Sequence, residues 1–284
     1  MRDYAEGVEY IRLYREGVEA LKDAGVAEAE LDARLLLEYV CGTNRNDMYM
    51  YPDRPVEAAQ CNKFSELICK RRLRIPLQHL TGVQEFMGLE FDVNKHVLIP
   101  RQDTENLVEE VLRHLHDGMS ILDMCTGSGC ILLSLLHYSN DCVGVGVDLS
   151  QEALEVARSN ASKLGLKATF IQSDLFENVS GKFDIIVSNP PYIQSAVIPT
   201  LEEEVKAHEP MMALDGSEDG LLFYRRISRD AKGYLTRGGM LFFEIGHDER
   251  EDVCAILEKE GYGEIRAMKD FAGNDRVVYA TFVE

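Results

Sequence analysis

Asp184-Ile185-Ile186-Val187-Ser188-Asn189-Pro190-Pro191-Tyr192 is the stretch from which the fold can be read. Ile185, Ile186 and Val187 are apolar and β-branched, as a strand buried on both faces of a parallel sheet requires. Two consecutive prolines end that strand, because proline has no N–H for the ladder and holds φ near about −65°. Asn189 therefore stands at the carboxyl end of a strand, where open α/β sheets bind ligands. The rigid Pro190-Pro191 step makes Asn189 and the Pro190 carbonyl a fixed pair of acceptors, with Tyr192 as an aromatic wall. Such a set suits a planar group bearing an NH2, either an amide or an amino-purine. Taken alone, the same residues make an ordinary proline turn closed by a capping Asn.

Upstream, from Ser120, the pattern alternates strand and helix, the sign of a doubly wound sheet. Ile121-Leu122-Asp123-Met124-Cys125 reads as a strand, and Thr126-Gly127-Ser128-Gly129 opens an apolar helix through Leu136. Glycines there let backbone N–H groups approach a ligand closely. A second strand, Val143 to Asp148, ends in a carboxylate able to accept from both hydroxyls of a ribose, and Ser150 caps the next helix. A third, Ala168 to Gln172, runs into Ser173-Asp174-Leu175-Phe176, where Asp174 can accept from an adenine amino group. A phosphate loop would carry Gly-Lys-Ser/Thr, which is absent. A dinucleotide would accept the same loop, but nothing later reads as a hydride-transfer site.

Downstream, Ile193 to Gly216 is a loop-rich insertion containing Glu202-Glu203-Glu204, and Ser217 is placed to cap a helix to about Leu235. A fifth strand covers Gly239 to Ile245. Two more, near Ile265–Met268 and Val277–Val283, are too close together for a helical crossover and should pair antiparallel. The expected architecture is α/β: a doubly wound, mostly parallel, seven-stranded, Rossmann-like sheet.

Three acids at three successive strand ends, with Asn189 at the fourth, resemble the class I S-adenosylmethionine-dependent methyltransferases. Further blocks narrow the resemblance: Pro76-Leu77-Gln78-His79-Leu80-Thr81-Gly82, Leu98-Ile99-Pro100-Arg101-Gln102-Asp103-Thr104-Glu105, Glu209-Pro210 and Asp270-Phe271-Ala272-Gly273. With Asp123, the glycine loop and Ser188-Asn189-Pro190-Pro191-Tyr192-Ile193, they are similar to the release factor glutamine methyltransferase family. That resemblance implies methyl transfer from S-adenosylmethionine, with S-adenosylhomocysteine as product, to the Gln side-chain nitrogen in the Gly-Gly-Gln loop of class I peptide chain release factors. It implies a cofactor site at Asp123, Thr126, Gly127, Gly129, Asp148, Asp174, Leu175 and Asn189. Catalysis would fall to Asn189, Pro190 and Tyr192, with Pro191, Arg101 and Glu105 also facing the substrate. The alternatives are an adenine-N6 nucleic-acid or other protein-amide methyltransferase with the same active-site chemistry, and a binding scaffold without turnover. One departure stands out: Cys125 occupies the position where the family commonly has a glycine, removing the easy left-handed conformation from the first loop residue.

Residues 1–75 read as a separate helical bundle, expected to recognise the substrate. Apolar residues recur at helical spacing before Gly25 and Gly42, and a third helix is expected from Val56 to Arg72. Its basic end, Lys70-Arg71-Arg72-Leu73-Arg74, reads as a solvated helix terminus favoured by the macrodipole. Residues 76–99 alternate around glycines as a hairpin linker would, and 100–284 form the catalytic domain, whose first helix reaches about His116 and is capped by Asp103 or Thr104.

A formal net charge of −19 argues against free nucleic acid as a partner. Seven cysteines without ligand spacing indicate reduced thiols and no metal site. No apolar signal core stands in Met1 to Glu6 and no apolar run approaches ~18 residues, so a cytoplasmic protein without membrane association is expected, and a monomer.

Overall fold

The computed structural model describes residue 4 and residues 6–283; Met1 to Asp3 and Ala5, part of the stretch inspected for a signal core, lie outside it. The chain divides into two compact units, residues 1–82 with 203–208, and residues 83–202 with 209–284.

The first unit is helical. A two-residue strand β1 (Val8–Glu9) leads into α1 (Tyr10–Asp23), α2 (Ala29–Cys41) and α3 (Arg45–Met50). Strand β2 (Pro55–Val56) precedes α4 (Ala58–Arg72) and the short α5 (Leu77–Thr81). Tyr10, Leu13 and Leu21 of α1 meet Leu36 and Leu37 of α2 and Phe64, Leu67 and Ile68 of α4 in one core. Spacings of three and four residues set these side chains on single faces. Two sequence expectations are corrected here. Val56 pairs with Val8 as a strand, so α4 begins two residues later. Leu77–Thr81 is helical, because its apolar residues Leu77 and Leu80 lie three apart and turn together toward the bundle core. The expected 76–99 linker is thus shared between the two units at Gly82/Val83.

The second unit opens with a hairpin, β3 (Val83–Phe86) and β4 (Leu89–Asp92), turning at Met87-Gly88. Then follow α6 (Gln102–His114), β5 (Ser120–Met124), α7 (Cys130–His137), β6 (Val143–Asp148), α8 (Gln151–Leu164), β7 (Thr169–Gln172) and β8 (Phe183–Ser188). The insertion carries α9 (Glu203–His208), the segment that returns to the first unit. The chain ends with α10 (Leu222–Ala231), β9 (Leu235–Glu244), α11 (Arg250–Lys259), β10 (Gly263–Lys269) and β11 (Asp275–Thr281). The seven-stranded sheet has the order β10-β11-β9-β8-β5-β6-β7, with β11 antiparallel to both its neighbours. Ile185 and Val187 of β8 pack on one face of the sheet with Leu107 and Leu132, while Ile186 packs on the other with Tyr224 and Val253. Both faces are covered, which is why β8 is apolar without alternation. From β5 the chain runs outward to β6 and β7 and then returns to β8 on the other side of β5. That reversal opens the crevice at the carboxyl ends of β5 and β8.

The expected helix caps are corrected. Arg101, not Asp103 or Thr104, is the N-cap of α6, and no side chain caps it. Ser217 lies at φ 78° and α10 starts five residues later, so it caps nothing. The α11 helix has no counterpart in the sequence reading.

The basic run at the end of α4 is solvated only in part: Lys70 and Arg72 are exposed, but Arg71 is buried. The Arg71 and Asp32 side chains are each 8% exposed and meet at 2.7 Å. Arg71 also donates to Glu204 at 2.8 Å, and Arg74 donates to both oxygens of the same carboxylate at 2.7 and 2.6 Å. Although partial burial opposes it, the hydrogen bonds from Arg74 and Arg71 pull the Glu204 carboxyl down to about 2. Among the described residues no helix is long and apolar enough to cross a membrane.

Candidate active site

Glycine-loop chemistry begins with strain. Gly127 and Gly129 have φ of 55° and 80°, and Cys125 has φ of 63° despite its side chain. The loop thus keeps the left-handed first residue that a glycine would supply, at a cost of about 1–2 kcal/mol for an L-residue. Leu175 is held likewise at 51°. Both residues line the same cavity, and strained backbone gathers at functional sites because the surrounding structure overrides local preference. Cys125→Gly is therefore expected to stay within ~1 kcal/mol of wild type in denaturant unfolding, the relieved strain offsetting a lost side chain. Cys125→Val, whose β-branch crowds a positive φ, is expected to lose more than ~2 kcal/mol.

Asp123, the last but one residue of β5, is fully buried, accepts from the Thr126 hydroxyl at 2.6 Å and leaves its other oxygen without a partner among the described residues. Burial pushes its carboxyl up to about 7. Asp148 accepts from the Gly127 N–H through one oxygen and from the Ser150 N–H through the other, each at 2.9 Å. The carboxylate expected to read a ligand thus also fastens the loop that cradles it. Burial raises its pKa while these backbone donors oppose the rise.

These loops enclose a cavity of ≈ 500 Å³, within the range of ~300–1,000 Å³ usual for small-molecule sites. Thr126, Gly127, Asp148, Asp174, Leu175, Asn189, Pro191 and Arg101, all named from the sequence, line this one cavity. Asp123, Gly129 and Pro190 are not among its lining residues. Asp174 is held by Arg226 at 3.0 Å.

Asn189 is oriented by a residue the sequence reading had assigned to a cap. Its Nδ2 donates to the Thr104 hydroxyl at 3.3 Å, and no donor among the described residues meets its Oδ1. Tyr192 does not line the cavity; its hydroxyl donates to Glu244 at 3.4 Å and its ring packs on the sheet core. Gly216 and Gly220 clamp its backbone, where an added Cβ would come within 2.7 and 2.5 Å.

Arg101 and Glu105 part company. Arg101 stands at the rim and donates at 2.6 Å to Glu209, whose carboxylate also accepts from the Ile99 N–H. Glu105 turns away and accepts from the Met87 N–H at the hairpin turn. Its role in the structure is to hold that turn.

The sequence reading missed Thr104, Glu209 and Glu244, together with His96, Val97, Leu98, Met211 and Met212 on the cavity wall. Thr104 and Glu209 stood within quoted blocks, but a hydroxyl or carboxylate in a loop shows no partner until the fold supplies one.

Two family models match the chain: "PrmC N-terminal domain" over residues 12–82 and "Methyltransferase small domain" over residues 102–208. Curated relatives named release factor glutamine methyltransferase include one from Agrobacterium fabrum, 44% identical over 91% of this chain and 92% of that protein. Another, from Caulobacter vibrioides, is 40% identical over 94% of each. A solved methyltransferase from Pyrococcus furiosus superposes with a TM-score of 0.53 at 18% identity, covering 69% of this chain and 90% of that one. A T. thermophilus 16S rRNA N2 G1207 methyltransferase, solved with AdoMet and guanosine, gives 0.51 at 20% identity, covering 70% and 49%. At such identities the last two speak for the fold alone.

Proposed function

The chain belongs to the release factor glutamine methyltransferase family, and from that premise we propose that it transfers a methyl group from S-adenosylmethionine to the side-chain amide nitrogen of the Gln in the Gly-Gly-Gln loop of class I peptide chain release factors. The observation that carries this reading is the Asn189 amide, whose N–H side is tied to Thr104 and whose oxygen meets no donor among the described residues. An acceptor held open in this way, beside the Pro190 carbonyl, suits an incoming NH2.

The cavity residues fit the cofactor. Asp148 would read the ribose hydroxyls, Asp174 the adenine amino group, and the Gly127 loop would lie against it, in a wall carrying more carboxylates than cations. When bound, S-adenosylmethionine supplies a sulfonium methyl open to in-line attack and leaves as S-adenosylhomocysteine. The chain's own task is to prepare a poor nucleophile, since an amide nitrogen shares its lone pair with its carbonyl. Asn189 Oδ1 and the Pro190 carbonyl accept the two amide hydrogens, turn the nitrogen toward the methyl, and stabilise positive charge as it forms. The Tyr192 ring braces this pair from behind, and Arg101 guards the rim. Once methylated, the nitrogen is acidic enough to release its proton to water.

Asp148→Ala is expected to weaken S-adenosylmethionine binding by about 1.5–3 kcal/mol, through lost hydrogen bonds to a charged group and a loosened Gly127. Titration calorimetry on the folded variant measures it, and unchanged affinity would remove Asp148 from the site.

The first unit, on the same proposal, recognises the protein substrate, and its exposed Tyr49, Met50 and Tyr51 offer an apolar surface for it. The reading as a whole is tested by supplying methyl-labelled S-adenosylmethionine with a release factor and, separately, with DNA. Label on the factor's glutamine supports it; label on DNA alone would replace it with the adenine-N6 reading, which the same acceptors could serve.

A further inference from the structure

Glu244 ends β9, the strand that pairs with β8, and follows Phe243 as Asn189 follows Ser188 across the Ser188–Phe243 pair. It is 2% exposed. One carboxylate oxygen accepts from the Tyr192 hydroxyl at 3.4 Å, and the other meets no donor among the described residues. The Thr104 hydroxyl, which accepts from Asn189, stands close enough to Glu244 to lower its pKa. A buried carboxylate thus sits behind both polar ends of the Asn189-to-Tyr192 element.

We propose that ionised Glu244 is the positioning residue of the active site, setting the direction of the Asn189 amide through Thr104 and anchoring Tyr192 directly. The proposal rests on the methyl-transfer reading above.

The argument is one of donor and acceptor direction. An ionised carboxylate only accepts. Beside it, Thr104 turns its single proton toward the charge and offers Asn189 a lone pair, so Asn189 must present Nδ2 to Thr104 and Oδ1 to the substrate. A protonated Glu244 can donate instead. Thr104 then accepts from the carboxyl and turns its own proton toward Asn189, which favours the flipped amide and sets an NH2 against the substrate's NH2.

The charge state is poised. Burial pushes the Glu244 carboxyl up to about 7, opposed by Thr104 and by Arg276 of β11, and reinforced by Asp103 of α6. Facing the same region are Tyr224 of α10, whose hydroxyl donates to the Glu244 carbonyl, and Glu249, also raised to about 7. The Cys130 thiol of α7 also feels the Glu244 charge. The raised carboxyl makes the working form the one that grows in as pH rises through about 7.

The test is single-turnover methyl transfer to a release factor between pH 6 and 8, with wild type and Glu244→Gln at saturating S-adenosylmethionine. The variant is expected to be at least 10-fold slower at pH 8, with cofactor affinity within twofold, and the gap should close toward pH 6. Asp123 and Glu249 titrate in the same range, so the ratio of the two rates, not either profile alone, reports Glu244. A rate within twofold at pH 8, or a ratio constant across the range, overturns the proposal. Should Glu244→Gln not fold, Thr104→Val cuts the same link and is read by the same ratio, with the same outcomes deciding. Absence of transfer by wild type would instead remove the methyl-transfer reading itself.

Discussion

Asn189→Ala is expected to fold and bind S-adenosylmethionine, yet to transfer methyl on the order of 100- to 1000-fold more slowly, the usual cost of losing one preorganised polar partner. Asn189 lines the cavity but its oxygen meets no donor among the described residues, so its loss falls on the substrate amide and not on the fold. Asn189→Asp is the finer probe. It keeps an acceptor oxygen and adds a negative charge near the sulfonium, which stabilises the charged reactant and opposes its discharge. The Asp variant should therefore bind cofactor at least as well as wild type and still react much more slowly. It also loses the Nδ2 donor to Thr104. Single-turnover transfer with saturating release factor measures both variants. A rate within about threefold of wild type, less than ~0.7 kcal/mol of barrier, would make Asn189 a turn residue only.

The second large effect is on stability. Arg71→Ala is expected to destabilise the first unit by about 3–5 kcal/mol, the range for removing one member of a buried ion cluster. Asp32 would keep its burial and lose its cation, while Glu204, 14% exposed, would keep only Arg74. Arg71→Met, which restores volume without charge, should not rescue it, because the two carboxylates remain. Combining Arg71→Met with Asp32→Leu should recover part of the loss, since burying no charge is less costly than burying an unpaired one. Chemical denaturation followed by far-ultraviolet dichroism gives the difference. A loss below ~1 kcal/mol for Arg71→Ala would mean that water reaches the cluster and screens it.

The sheet was legible because each of its strands announces itself locally. Three apolar residues at 185–187, a double proline and acids at strand ends need no partner to be recognised. The antiparallel pairing of β10 with β11 followed from a connection too short for a helix. What could not be read depended on residues distant in the chain. Thr104 and Asn189 lie 85 positions apart, and Arg71 and Glu204 lie 133 apart. A basic run looks the same in sequence whether its cations meet water or a carboxylate delivered by a later segment. Cys125 shows the opposite limit. Its side chain argued against a left-handed backbone, and the loop adopts one regardless, because strand, loop and helix together outweigh a local preference of 1–2 kcal/mol or so.

The α9 segment bears on how this protein is made. Its six residues complete the first unit, yet residue 208 lies 126 positions beyond residue 82, where the first pass of the chain through that unit ends. A ribosome adding about 5–20 residues per second needs roughly 6–25 s to cover that distance. Throughout the interval the nascent bundle has Arg71 and Arg74 in place and no Glu204 to receive them. It must wait as a cationic helix end while β3 through β8 emerge. Vectorial synthesis, which ordinarily lets an amino-terminal domain finish first, here leaves the amino-terminal unit waiting on sequence embedded deep in the catalytic half.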